Sequence, residues 1–125
     1  MARILIIDDD VQILKMLRKM LELEGHEVVD AADGNKGLKL YREDPTDLVI
    51  TDIVMPEKEG IETIVDLRRE FPEAKIIAMS GGGHVEPEAY LHMAKGFGAQ
   101  RTLTKPFGKE ELVEAIGALE DKSCN

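Results

Sequence analysis

The sequence predicts an α/β fold, a five-stranded parallel sheet doubly wound by five helices. Three observations predict it. Short apolar runs alternate with longer amphipathic segments along the whole chain. The alternation repeats five times with no linker, repeat or low-complexity stretch between. The first run, Ile4-Leu5-Ile6-Ile7, is rich in β-branched residues and unbroken by charge, as a strand covered on both faces requires. Successive strands joined through helices are parallel, and their crossovers place helices on both faces of the sheet.

Each element has its own local reason. Ile4-Leu5-Ile6-Ile7 is a continuous buried-strand run. Asp10 is placed to cap a helix whose core face includes Val11, Leu14, Leu17 and Leu21, and Gly25 is placed to end it. Glu27 to Ala31 reads as the second strand, and Asp33 to Tyr41 as a short helix that stops before Pro45. Asp47 to Thr51 is the third strand. Gly60 to Glu70 is the third helix, with Ile61, Ile64, Val65 and Leu67 inward. Lys75 to Met79 is the fourth strand. Glu86 to Lys95 is the fourth helix, with Pro87 in a tolerated first-turn position. Arg101 to Thr104 is the fifth strand. Lys109 to Leu119 is the last helix, with Leu112, Val113, Ile116 and Leu119 on one side. Met16, Met20, Met79 and Met93 read as core or partly buried packing residues, and Phe107 as the anchor of the last helix.

Composition narrows the function. A length of 125 residues fits one domain, residues 1–125 with a core over 2–120, and the expectation is that no output domain follows. Hydrophobic residues make up 43%, enough for a core. No apolar run approaches the roughly 18–20 residues of a membrane span, so no membrane insertion is expected. The first apolar run is too short for a signal peptide and is followed at once by three aspartates. The single cysteine, Cys124, cannot form an internal disulfide, and a cytoplasmic location is expected. The net charge is −9 and no Lys/Arg cluster is present, which argues against a nucleic-acid partner.

The polar residues fall where a site would form. The first strand runs into Asp8-Asp9, the third into Asp52, the fourth into Ser80, and the fifth is followed by Lys105-Pro106. Ligands of open parallel sheets bind beyond the carboxyl ends of the strands. Three carboxylates, a hydroxyl and an ammonium would then share one rim. Carboxylates so placed repel, and a hard divalent cation with oxygen ligands relieves that repulsion. Lys105 and Ser80 can hold phosphoryl oxygens, and a carboxylate can act as the nucleophile that accepts a phosphoryl group. A lone aspartate at a strand end is more often a cap or turn former, as Asp10 is expected to be. The ordered set at successive strand ends is a far stronger signal than any one member.

At this point the chain resembles the receiver domain of bacterial response regulators. The matching stretches are Ile4 to Asp10, Asp47 to Pro56 with Gly60, Ala78-Met79-Ser80-Gly81, and Gly98-Ala99 through Leu103-Thr104-Lys105-Pro106-Phe107. The resemblance implies a flavodoxin-like sheet of strand order 2-1-3-4-5. It implies that Asp52 is the phosphoacceptor and that Asp8, Asp9, Asp52 and the backbone carbonyl of Val54 seat Mg2+, or Mn2+ in its place. It implies that Ser80 and Lys105 stabilise the phosphoryl group, with Ser80, Gly81, Thr102 and Pro106 tied to the switch. The implied donor is a histidine kinase or a histidine phosphotransfer protein. The implied output is contact with a downstream protein, from a monomer or weak homodimer. The implied chemistry is the protein's own phosphorylation and dephosphorylation, without turnover of other substrates.

Departures from the family pattern matter equally. Many receivers carry Tyr or Phe at the position of Thr102, so the aromatic switch is not expected here. The signal is instead expected to be read near the active site, as in a relay intermediate. The runner-up is a switch carried by Gly81-Gly82-Gly83-His84, whose three glycines hold no single backbone shape cheaply. His84 reads as a loop residue, and His26 and His92 lack partners at ligand spacing. Val54 and Gly82 offer no side chain to orient a hydrolytic water, which predicts slow self-dephosphorylation. An Mg2+-dependent phosphatase acting through an aspartyl phosphate is the competing enzyme reading. Such enzymes carry a second acid two residues after the nucleophile, where this chain has Val54. A flavin binder is disfavoured by two Tyr, three Phe and no Trp.

Overall fold

The computed structural model describes residues 2–53, 60–80, 95–96, 98–104 and 107–123, with the backbone alone at Gly60, Ile61, Ser80 and residues 120–123. The strands are β1 (Arg3–Ile7), β2 (Glu27–Ala31), β3 (Leu48–Asp52), β4 (Ile76–Ser80) and β5 (Arg101–Thr104). The helices are α1 (Val11–Leu23), α2 (Gly34–Glu43), α3 (Gly60–Glu70) and α4 (Lys109–Ser123). The expected helix over 86–95 lies outside the described residues except for Lys95, which is helical.

All five strands are parallel, in the order β2-β1-β3-β4-β5. Alternation along the strands divides the core into two layers. Ile4, Ile6, Leu48, Ile50, Ile77 and Met79 face α1 and α4 with Leu14, Leu17, Leu112 and Ile116. Leu5, Ile7, Val49, Ile76 and Ala78 face α2 and α3 with Leu38, Tyr41, Ile64 and Leu67. A strand covered on both faces has no polar side, which is why these runs are continuous rather than alternating. Phe107 is buried in the α1/α4 layer and anchors the start of α4 as expected.

Asp10 caps α1 by accepting the Gln12 amide, and Asp33 caps α2 by accepting that of Lys36. Gly25 ends α1 at φ +89°, a conformation that side chains resist. Gly37 lets α2 sit directly on β1, because a Cβ there would lie 2.4 Å from Ile7 Cδ1. Beyond the core, Arg18 holds Asp30 of β2 from α1 at 2.7 Å, and that hydrogen bond raises the arginine's already high pKa.

Several residues depart from the sequence reading. Val11 is 56% exposed, although its phase puts it on the core stripe of α1. It occupies the first turn of the helix. Val113 is 41% exposed, one step of about 100° around the helix from Leu112. Met16 is exposed as well, while Met79 is fully buried and Met20 packs against the core from its edge. Met93 lies outside the described residues. The last helix continues past Leu119 to Ser123. The third and fourth strands each sit one residue later than expected, so Asp52 and Ser80 are terminal strand residues.

Candidate functional site at the carboxyl ends of the strands

The site forms where β1 has β2 on one side and β3 on the other. The chain leaves β1 through Ile7, and the Asp8 amide donates to the Ala31 carbonyl at 3.1 Å, extending the β1–β2 ladder by one residue. Asp8 is fully buried there, and Asp9 beside it is exposed. Asp52 closes β3 opposite Met79 of β4 and is 6% exposed. The Ile53 amide continues that ladder to the Met79 carbonyl at 3.1 Å. Backbone bonds on both sides thus fix the points from which Asp8 and Asp52 project.

The three carboxylates meet. One oxygen from each of Asp8, Asp9 and Asp52 lies within 4.8 Å of the others. Asp8 Oδ1 also accepts the Asp10 amide at 2.9 Å. Two of the three carboxylates are buried, so their mutual repulsion is weakly screened and their desolvation is costly. A divalent cation offsets both terms. The donors are all hard carboxylate oxygens, with no sulfur or imidazole among them, which fits Mg2+ or Mn2+ better than a softer metal. Asp9 is exposed to solvent. The cluster can hold a cation.

The other sequence-predicted residues fall as follows. Ser80 ends β4, one position beyond the residue paired with Asp52, and pairs in backbone register with Thr104. Thr104 directly precedes Lys105. The strand ends carrying Asp52, Ser80 and the approach to Lys105 are therefore neighbours in the sheet. Thr102 lies in β5 opposite Ala78 and is half-buried. Val54, Gly81, Lys105 and Pro106 lie outside the described residues, as do Gly82, Gly83, His84 and His92. His26 accepts the Ala2 amide on Nδ1 at 2.9 Å, in keeping with a structural role. The amide of Asp10 on Asp8 was not expected from the sequence. Its signal was the Asp10 cap itself, which fixes the backbone next to the site.

Comparison with known proteins decides the family. The response regulator receiver domain model matches residues 4–117. The chain belongs to the response regulator receiver family. Among curated relatives of this receiver, the transcriptional regulatory protein CpxR of Escherichia coli is 36% identical over 119 residues, covering 95% of this chain and 49% of CpxR. The receiver thus spans about half the length of that relative. The chemotaxis protein CheY of Thermotoga maritima is 36% identical over 115 residues, covering 91% of this chain and 93% of CheY. Among solved structures, a response regulator receiver domain protein from Clostridium thermocellum superposes with a TM-score of 0.90 at 30% identity, covering 98% of this chain and 97% of that one. The expected family and the expected strand order are both borne out.

Proposed function

We propose that this receiver takes a phosphoryl group onto Asp52, with Mg2+ seated by Asp8, Asp9 and Asp52, and signals by protein contact. The observation that carries the reading is the convergence of those three carboxylates at the switch point of a receiver-family sheet. A carboxylate oxygen of Asp52 attacks the phosphorus of a phosphohistidine. The phosphorus–nitrogen bond breaks, imidazole leaves, and an aspartyl phosphate remains. The cation, when bound, neutralises charge on the phosphoryl oxygens during transfer. Asp8, Asp9 and Asp52 would hold it, and the Val54 carbonyl would serve as a further ligand. Ser80 and Lys105 complete the hold on the phosphoryl oxygens, as the family assignment supports. Asp52 lies nearly buried at the end of a central strand.

The donor in this reading is a histidine kinase or histidine phosphotransfer protein, and the output is a protein partner. Thr102 replaces the aromatic of many receivers, so the phosphorylated state is read by the partner near Asp52 itself, as in a relay. Cytoplasmic residence follows from the proposed donor. Among the described residues no helix is long and apolar enough to cross a membrane.

The test is direct. Incubate the parent and Asp52→Asn with Mg2+ and a small acyl phosphate, then weigh both proteins intact. The parent should gain one phosphoryl group and the variant none. Equal gain on both would move the acceptor elsewhere.

A further inference from the structure

Asp10 makes two hydrogen bonds that run in opposite directions along the chain. Its amide donates back to Oδ1 of the buried Asp8 at 2.9 Å. Its carboxylate accepts forward from the Gln12 amide at 2.9 Å and caps α1. Its φ of −89° and ψ of 109° are the extended geometry of a cap residue. The forward bond holds this backbone, and the backbone aims the amide at Asp8. No acidic residue inside the first turn of α1 assists the cap.

We infer that Asp10 is a positioning residue for the cation seat: capping α1 keeps the Asp10 amide on Asp8 Oδ1, and that bond sets the rotation at which Asp8 presents its carboxylate to Asp9 and Asp52. The inference rests on the cation-assisted reading above. The terminal torsion of an aspartate is broad, so a carboxylate with a fixed donor on one oxygen loses most of its rotational freedom. Partners behind a metal ligand orient that ligand and tune its affinity. The coupling is reciprocal: a cation that selects this rotation of Asp8 must also tighten the cap.

Two substitutions isolate the effect. Asp10→Ser and Asp10→Ala both remove the charge and both keep the backbone amide, but only serine keeps a capping oxygen. Each is titrated with Mg2+ by calorimetry beside the parent, melted without cation, and followed for Gln12 amide exchange by NMR with and without Mg2+. Asp10→Ala should bind Mg2+ about tenfold more weakly than Asp10→Ser, the low end of what losing an outer partner costs. Mg2+ should slow Gln12 exchange in the parent and in Asp10→Ser, and leave it unchanged in Asp10→Ala. Equal Mg2+ affinity for the two variants, with Asp10→Ala merely melting lower, makes Asp10 a helix cap alone and overturns the inference. No Mg2+ uptake by the parent would reject the cation seat itself, and this inference with it.

Discussion

Replacing Gly37 with alanine should destabilise the protein, although the same change in a free helix would stabilise it. A Cβ on Gly37 would lie 2.4 Å from Ile7 Cδ1 and 2.8 Å from Ile7 Cγ1. Favourable carbon–carbon contact needs about 3.5–4.0 Å. Ile7 is fully buried and is locked in the sheet between Ala31 and Thr51. Overpacking of this kind costs about 1–3 kcal/mol, and so deep an overlap belongs at the upper end. Gly117 supplies the control. It lies inside α4, and a Cβ there meets nothing within 4 Å. Alanine gains about 1 kcal/mol over glycine in a helix interior, and that gain is common to both sites. Gly37→Ala should therefore lose about 2 kcal/mol and Gly117→Ala gain about 1 kcal/mol. The difference of about 3 kcal/mol reads the clash with Ile7 alone. Urea unfolding followed by far-UV circular dichroism gives both values. Because Ile7 directly precedes Asp8, Gly37→Ala should also weaken Mg2+ uptake. A Gly37→Ala protein as stable as the parent would refute the packing argument.

Other consequences are open to simple tests. Asp9→Asn should leave stability within about 0.5 kcal/mol because Asp9 is exposed, yet cut Mg2+ affinity by at least about tenfold; calorimetry showing unchanged affinity would remove Asp9 from the seat. Gln100→Ala should cost about 1–3 kcal/mol, because its side chain accepts the Ile76 amide, donates to the Ala74 carbonyl and accepts from Arg68; an unchanged urea midpoint would contradict this. The hydrogen bonds from Arg42, aided by its charge and opposed by desolvation, hold the Glu70 carboxyl below its ordinary range. A depressed folded-state value gives stability that is present above the unfolded carboxylate range and lost as pH falls through the folded value. Arg42→Met should return the Glu70 titration, read by NMR, upward toward that range, and a titration unmoved by the change would contradict the assignment.

The central strands were legible because burial on both faces leaves their runs unbroken by polar alternation, whereas the edge strands β2 and β5 carry polar residues. The acidic cluster was legible because Asp8-Asp9 and Asp52 stand at the ends of strand runs, and parallel strands bring their carboxyl ends to one rim; the strand order that makes β1 and β3 neighbours came from the family resemblance. Helix faces were read less well at their edges. Val11 and Val113 satisfy the apolar pattern, yet one sits at a helix end and the other beside the stripe, and both stay largely exposed. Periodicity reports direction around a helix axis and carries no information about how far the neighbouring layer extends. The Asp10–Asp8 bond and the Arg68–Gln100 network were not legible. Both depend on backbone and side-chain groups meeting at one distance and angle, which residue type does not encode. Gln100 in particular reads as an ordinary polar residue, and only the fold sets its amide beside the Ala74 and Ile76 backbone.

The location of the transferred group decides the account most directly. After phosphorylation with Mg2+ and an acyl phosphate, borohydride reduces an aspartyl phosphate to homoserine, which peptide mass spectrometry can place. The account predicts homoserine at position 52, and its loss when a chelator withholds the cation. Homoserine at position 8 or 9, or undiminished labelling at 52 without any divalent cation, would contradict it.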